Sequence, residues 1–513
     1  MPRTPTLSFD RGTLILHPPP RGKGWIEYAV WDDRVERFRV PANQYRPLVE
    51  ALQAEGTAFT DQAKAFAPLT LKSCLEMPPY PHQVAALAAW QQAGRRGVVV
   101  LPTAAGKTYL AQLAMQATPC HTLIVVPTLD LLHQWYAHLL AAFPDVEVGV
   151  LGGGSRDRSP LLVATYDSAA IHAETLGNRY GLLIFDECHH LPSDFNRVIA
   201  EYAIAPYRLG LSATPERADG RHTDLDTLIG PTVYRKAPED LAGQALAPHE
   251  VVQIKVNLSQ WERQRYEALI QQRNAFLNQS KIHLGSLEGW QRFVQVSATS
   301  AAGRQAMLAH HEARAIALGT DGKVRVLTDL LNQHYPEPVL IFTNDNATVY
   351  RISQDFLIPA ITHQTPVKER HEILDRFKQG IYKTLVVANV LDEGVDVPDV
   401  RIAIFLAGSG STRQFVQRLG RVLRKGKQAN KQAILYEVIA ADTVEERTSD
   451  RRRQRSGSQL KRGQRSDNPP TQLECLPPTS YPLPIPLRQP RAAEPGASWP
   501  GANWAEQDRD RET

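Results

Sequence analysis

Short apolar runs alternate with helical stretches along most of this chain, and that alternation restricts its fold more than any other feature. A first set comprises Gly97 to Leu101, Leu123 to Val126, Leu161 to Thr165, Leu182 to Phe185 and Leu209 to Leu211. A second comprises Val339 to Phe342, Ala360 to Thr362, Thr384 to Val387, Ile402 to Leu406 and Ile434 to Val438. Runs this short, without polar alternation, suit strands buried on both faces, and the helical stretches between them supply the covers. Two α/β lobes built on parallel sheets follow. Domains commonly run about 100 to 200 residues, so a chain of 513 residues has room for further units.

Those units flank the lobes. Up to about Leu71 the chain reads as a small α+β unit, with strands at Thr13 to Leu16 and Trp25 to Val30 and an apolar-spaced helix near Tyr45 to Gln53. Between the lobes, Ser259 to Leu331 is helical in character and interleaves Trp261, Arg263, Arg265, Tyr266, Arg273, Phe276, Trp290, Arg292 and Phe293. Such a mix suits stacking on bases and tracking phosphates. A helical hairpin with a buried aromatic seam and a solvated basic face has the same composition. After about Asp450 prolines crowd Pro469 to Pro500 and apolar periodicity fades, so a disordered tail is expected.

Charge is distributed unevenly. The net +4 hides seven basic residues and no acid in 451–466, then four Arg against seven acids in 467–513. Residues 1–450 therefore sum to 4 − 7 + 3 = 0, and any nucleic-acid track on them must be local. Cys74, Cys120, Cys188 and Cys475 stand far apart, giving neither a C-x-x-C half-site nor a secreted disulfide framework, and reduced thiols are expected. No run approaches the roughly 18 apolar residues of a membrane helix and no signal-peptide core is present, so a cytoplasmic protein is expected.

Three motifs carry chemistry. Val98 to Leu101 leads into Pro102-Thr103-Ala104-Ala105-Gly106-Lys107-Thr108 and then a helix, the strand, loop and helix N-terminus that turn backbone N–H groups toward an anion. Lys107 there reaches β and γ phosphates and the Thr108 hydroxyl ligates Mg²⁺. The first glycine of the usual pattern is missing, Leu101 standing in its place. Asp186-Glu187-Cys188-His189 ends the run Leu182 to Phe185. Asp186 would hold Mg²⁺ through water, and Glu187 would orient and deprotonate the attacking water. A metal site at Cys188, His189 and His190 is disfavoured because adjacent residues of an extended chain point apart. In Gln417 to Arg424, Arg421 and Arg424 are three apart and reach one helix face, toward a γ-phosphate bound across the cleft; a solvated basic helix end is the plainer alternative.

In order, these motifs resemble those of superfamily 2 helicases, together with Gln83 in Tyr80-Pro81-His82-Gln83, Pro127-Thr128-Leu129, Ser212-Ala213-Thr214, Phe342-Thr343 and Gly394-Val395-Asp396. More narrowly the chain resembles the XPB family, in particular its shorter archaeal-type members, from about Leu7 to Arg465. The strings Leu182 to Pro192, Glu216 to His222, Leu391 to Asp399 and Gly408 to Arg424 carry that resemblance.

The resemblance implies two RecA-like lobes and a 3′-to-5′ DNA helicase or double-strand translocase using ATP and Mg²⁺ in DNA repair or transcription. It implies a damage-recognition-like domain at 1–73, an ATP-binding lobe at 74–245, a linker and thumb-like insert at 246–320, a second lobe at 321–448 and the tail at 449–513. Nucleotide contacts are implied for Gln83, Thr103, Ala104, Ala105, Gly106, Lys107, Thr108, Gly394 and Asp396, and coupling of nucleotide state to lobe movement for Ser212, Thr214 and Gln417. Thr128, Arg217, Asp219 and Thr343 are implied to serve DNA binding or unwinding, and single-stranded, forked or damaged DNA and a structure-specific nuclease are implied partners.

The chain departs from the family pattern at Tyr80, where an Arg is common, at Ala104, where Gly is usual, and at Ala218, which removes the carboxylate of an Arg-Glu-Asp motif. The last change points to translocation without efficient unwinding. Two other readings share these residues: an RNA-directed or restriction-complex motor with the same cleft, and a non-hydrolysing ATP-binding DNA scaffold. Intact Lys107, Asp186, Glu187, Arg421 and Arg424 speak against the scaffold.

Overall fold

The computed structural model describes residues 4–74, 77–217, 219–237, 239–241, 249–284, 287–388, 400–406, 433–447 and 449. Gly394, Asp396, Gln417, Arg421, Arg424, Ala218 and the tail beyond Ser449 lie outside the described residues.

Five strands form the N-terminal sheet: β1 (Thr6–Asp10), β2 (Thr13–His17), β3 (Val30–Asp32), β4 (Arg37–Pro41) and β5 (Thr60–Asp61), in the order β3-β4-β2-β1-β5. Alternating Leu14 and Leu16 meet Leu7 and Val40 on the inner face, and the helix Tyr45–Ala54 covers them with Tyr45, Leu48 and Leu52. That spacing is one helical face. The strand expected at Trp25 to Val30 is instead a 3₁₀ turn, Ile26–Tyr28, with β3 starting only at Val30. Glu55 Oε1 accepts the N–H groups of Lys23 and Gly24 at 3.2 and 2.7 Å, and the Trp25 indole donates to Gly22 O at 2.8 Å, which curls the backbone before it can extend.

The first lobe carries β6 (Arg96–Val100), β7 (Thr122–Val126), β8 (Val148–Gly152), β9 (Ser155–Arg156), β10 (Leu161–Thr165), β11 (Leu182–Asp186), β12 (Tyr207–Ser212) and β13 (Thr232–Arg235). Their order is β13-β6-β12-β11-β7-β10-β8-β9, parallel except for the β8–β9 hairpin. Arg208 on β12 is fully buried and donates to Ala203 O, Ala205 O and Leu228 O at 2.9, 3.3 and 2.5 Å. Its guanidinium thereby ties the sheet to two connecting segments.

The second lobe is parallel throughout: β14 (His249–Val256), β15 (Val339–Phe342), β16 (Ala360–Ile361), β17 (Thr384–Val387), β18 (Ile402–Phe405) and β19 (Ala433–Ala440), in the order β14-β19-β18-β15-β17-β16. Strand β14 lies within 246–320, where a linker and insert are expected, yet it pairs with β19 along its whole length. Four helices follow it, Gln260–Gln279, Leu287–Thr299, Ala301–Gly319 and Asp321–His334.

In this helical insert Phe276, Trp290, Phe293 and His310 form a seam with ring centroids 5.3 to 6.2 Å apart, the arrangement of a buried aromatic hairpin. Trp261 is 70% exposed. Glu262 accepts from Ser259 N, Thr320 Oγ1 and Asp321 N at 2.8, 2.9 and 3.2 Å, so one carboxylate closes the insert where it leaves and rejoins the lobe. Beneath it, Lys323 and Glu445 pair at 2.6 Å with both side chains buried, and Lys323 also donates to Leu406 O. Among the described residues no helix is long and apolar enough to cross a membrane.

Replacing Arg208 leaves three buried carbonyls without donors, each worth about 1 to 3 kcal/mol. Arg208→Met is expected to lower first-lobe stability by at least about 3 kcal/mol in urea unfolding, and Arg208→Lys to rescue only part of it, because an ammonium lacks the planar fork.

The insert should be acid-sensitive. Burial, with the charges of Arg273, His311 and Arg314 adding, pushes the His310 imidazole down to about 4. The unfolded chain therefore takes up the proton first, so the seam's stability is complete above about pH 6.5 and is lost progressively as pH falls toward 4. Hydrogen exchange in 301–319, corrected for intrinsic rate, is expected to accelerate over that window, and His310→Gln to abolish most of the acceleration.

Candidate nucleotide site

Strand β6 is buried through Val98, Val99 and Val100, and the chain leaves its carboxyl end in a tight loop. Ala105 N donates to Pro102 O at 3.2 Å. Ala104 has φ 68° and Gly106 φ 78°, both left-handed, and the helix Lys107–Gln116 begins at once. Left-handed residues spaced this way make a concavity of amide N–H groups at a positive helix end, which suits an anion. A side chain at Gly106 would place Cβ 2.2 Å from Gln83 Nε2, so that amide would have to withdraw, and the left-handed backbone there favours glycine in any case.

Gln83 stands behind this loop. Its Nε2 donates to Gly106 O at 3.1 Å and its Oε1 accepts from Tyr80 N at 2.9 Å, leaving the residue 2% exposed. Each end of this amide thus has one close protein partner, which leaves its second N–H and second lone pair for the nucleotide contact implied for Gln83. His82 Nε2 lies 2.9 Å from Ala105 O and supports the loop beside it. Tyr80 stacks on His82 with centroids 5.6 Å apart.

Two strands away, β11 delivers the carboxylates. Glu187 itself is left-handed, with φ 47°, and Lys107 Nζ donates to its Oε1 at 3.2 Å. Ser212 Oγ, at the end of the intervening β12, donates to Glu187 Oε2 at 3.4 Å and accepts from Thr214 N at 3.1 Å. His189 Nδ1 lies 3.2 Å from the same hydroxyl. Asp186 is buried; its Oδ1 accepts from Glu187 N at 3.0 Å and its Oδ2 from Trp135 Nε1 at 2.8 Å. Burial first, then the charge of Glu187, raises the Asp186 carboxyl to about 6, with Lys107 opposing.

The structure thus brings Thr103 to Thr108, Asp186, Glu187 and Ser212 to one edge of one sheet. Thr128 lies beside it as the N-cap of the helix Leu129–Ala142, accepting from Leu131 N at 3.3 Å. Arg217 donates to His189 O at 2.7 Å and pairs with Asp219 at 2.6 Å, so this pair joins the motif's back. Thr343, at the end of β15, is buried and its hydroxyl donates to Asp345 O at 3.1 Å.

Cys188 to His190 form a 3₁₀ turn rather than an extended strand. Cys188 packs in the apolar core, and among the described residues no group of three His, Cys, Asp or Glu side chains is placed to hold a metal. Cys120 is buried like Cys188, whereas Cys74 is exposed. Sequence reasoning missed Trp135 and Tyr166, whose hydroxyl donates to Asp186 O at 3.1 Å. No spacing rule links a helical Trp to a carboxylate on another strand.

The donor set fits a triphosphate with a divalent cation. The Thr103 and Thr214 hydroxyls are buried without partners, the loop offers amides, Lys107 a cation and Asp186 with Glu187 two carboxylates.

Comparison with known proteins agrees. Residues 7–63 match the Xeroderma pigmentosum group B helicase damage recognition domain, 76–217 the Type III restriction enzyme res subunit, and 322–426 the helicase conserved C-terminal domain. The chain is 40% identical to the DNA 3'-5' translocase XPB2 of Sulfurisphaera tokodaii over 83% of its own length and 95% of that protein. It is 30% identical to the DNA 3'-5' helicase XPB of Mycobacterium tuberculosis, covering 71% of this chain and 60% of the relative, so it spans under two thirds of that longer protein. The Hef helicase domain of Pyrococcus furiosus shares the fold, with TM-score 0.53 at 18% identity over 73% of this chain and 98% of that domain. With its paired RecA-like lobes and a near full-length match at this identity, the chain belongs to the XPB family of superfamily 2 helicases.

Proposed function

We propose that this protein is an ATP-driven motor on DNA, a 3′-to-5′ helicase or double-strand translocase acting in repair or transcription. The observation that carries the reading is the approach of Lys107 and Glu187 to 3.2 Å at the mouth of a left-handed anion loop. The N-terminal match to a damage recognition domain supports DNA as the polymer. A structure-specific nuclease partner rests on the family resemblance.

In this reading Thr103 to Thr108 hold the phosphates through backbone amides, with Lys107 supplying charge. Thr108 and Asp186 would hold Mg²⁺, which would neutralise phosphate charge, and the γ-phosphoryl group of the substrate ATP passes to water. Glu187 Oε2 orients a water and takes its proton. Ser212, hydrogen-bonded to Glu187, connects that carboxylate to Thr214 and, through His189, to the Arg217–Asp219 pair. Gln83 fixes the loop from behind. Nucleotide contact by Gln83, Gly394 and Asp396, coupling by Gln417 and stabilisation of transition-state charge by Arg421 and Arg424 are assigned on the family resemblance; all but Gln83 lie outside the described residues. Thr128, Arg217 and Asp219 serve the DNA side. The division at 73, 245, 320 and 448 stays part of this proposal, with β14 assigned to the second lobe.

Steady-state ATPase measured alone and with single-stranded DNA, duplex DNA and RNA tests the reading. Stimulation by DNA well above that by RNA is expected. Stimulation by RNA alone would move the motor to the other polymer, and no turnover with any of them would leave a binding scaffold.

Glu187→Gln is expected to keep nucleotide affinity while kcat falls by about 10² or more, because the carboxylate acts on the water. Lys107→Ala is expected to lose affinity and turnover together. Titration with a fluorescent ATP analogue separates the two, and equal losses of affinity would remove the assigned division of labour.

A further inference from the structure

The helix Leu129–Ala142 belongs to the first lobe but touches the second. Near its start Asp130 Oδ2 lies 3.4 Å from Arg370 Nη1, a residue of the second-lobe helix Val367–Lys378, and the two side chains are only 20% and 12% exposed. Further along the same helix Trp135 Nε1 donates to Asp186 Oδ2 at 2.8 Å. Five residues at about 1.5 Å rise separate the contacts by roughly 7.5 Å along the axis. The element joining them is short and stiff.

Trp135 is 1% exposed and fills the core; its buried indole N–H needs an acceptor, and the one it meets is the carboxylate of Asp186. The second donor to Asp186, Glu187 N at 3.0 Å, holds the other oxygen, so the two bonds together fix the carboxylate plane. Partners that orient an acidic ligand in this way commonly matter almost as much as the ligand. Arg370 is anchored on its own lobe by Nη2 donating to Thr365 O at 3.3 Å, so a displacement of that lobe pulls directly on Asp130.

We infer that Trp135 is a positioning residue for Asp186, and that its helix relays the approach of the second lobe, sensed by Asp130 through Arg370, to that carboxylate. The inference rests on the reading of the cleft as an ATP and Mg²⁺ site. It adds a path from lobe interface to cation side that bypasses the phosphate loop. The path needs no large motion, because a hydrogen bond of 2.8 Å weakens steeply when its donor tilts or withdraws. Coupling of this kind requires a stated element that both ends bias, and here it is one helix with a contact at each end.

The test titrates Mg²⁺ into full-length protein holding a fluorescent ATP analogue and reads the half-saturating cation concentration, with analogue affinity in EDTA and thermal unfolding measured alongside. Trp135→Phe keeps an aromatic side chain, smaller than indole, and removes the N–H; it is expected to raise half-saturating Mg²⁺ about 10-fold while affinity in EDTA stays unchanged. Arg370→Met, in the other lobe, is expected to raise it in the same direction by a smaller factor. The double variant should be no worse than Trp135→Phe alone, since both act through one contact.

An unchanged half-saturation in Trp135→Phe, with only its unfolding temperature lowered, would make Trp135 a packing residue and overturn the inference. Additive effects in the double variant would overturn the relay. If Trp135→Phe does not fold, Arg370→Met decides: an unchanged Mg²⁺ dependence sinks the proposal and a raised one supports it. Wild-type protein whose analogue binding ignores Mg²⁺ altogether would instead refute the reading of the cleft.

Discussion

The meeting of Lys107 and Glu187 depends on the register of three parallel strands. β12 lies between β6 and β11, with Ser212 level with Val100 and Leu211 level with Asp186. The three carboxyl ends are therefore flush, and each passes directly into a loop or turn bearing a polar group. A slip of one residue would shift a strand end by about 3.3 Å and turn its side chains to the opposite face. Such a slip would strip the buried Arg208 guanidinium on β12 of its three carbonyl acceptors and force the apolar runs Val98 to Val100, Leu182 to Phe185 and Leu209 to Leu211 to repack on both faces. The charges of the cleft are thus placed by hydrophobic registration, and polar groups gather at this edge because the sheet has nowhere else to hold them.

The second lobe uses another means of fixing geometry. Lys323 and Glu445 are paired in the interior, where burial lowers the Lys323 ammonium even beside its partner carboxylate. Such a pair adds little net stability compared with an apolar pair of the same volume, but it accepts only one arrangement. Lys323 takes Leu406 O as well, so it sets where β18 ends and the chain continues toward residues 407 onward. Glu262 does the same for the helical insert, binding its first turn to the turn through which it returns. The insert is consequently fastened at its base while its aromatic seam is held by its own packing, and a displacement of the lobe carries the insert's base with it.

What could be read from the sequence follows from which signals are local. The β6, β7, β11 and β15 runs are apolar without interruption because both faces are covered, and the residues themselves say so. β14 was not legible: His249 to Val256 alternates because it is an edge strand, and its partner β19 lies far along the chain. Trp25 to Val30 has strand-like composition, but Glu55 decides its backbone from a distant helix end. In the cleft, the loop and the carboxylates were legible because each is one contiguous motif. Trp135 was not, since its meaning exists only once the helix is laid over β11. Thr343 shows the converse, a motif residue whose burial no motif encodes.

Of the eight left-handed non-glycine residues among the described residues, two stand where the chemistry is. Ala104 and Glu187 are both left-handed without being glycine, a conformation costing roughly 1 to 2 kcal/mol for an L residue. For Glu187 the cost is unavoidable, because the turn after β11 must swing a carboxylate back over the sheet edge toward Lys107, and glycine has none to offer. Ala104 has no such excuse: its methyl group adds no polar contact. It is tolerated because the positions around it are over-determined, by the Ala105 bond to Pro102, by Gln83 and His82 behind the loop, and by Gly106, whose left-handed backbone favours glycine. A loop held from so many sides can keep its shape with one residue strained. The same supports account for the inward turn of Gln83: its Nε2 holds the anion loop at Gly106 O, while its Oε1 caps its own helix at Tyr80 N.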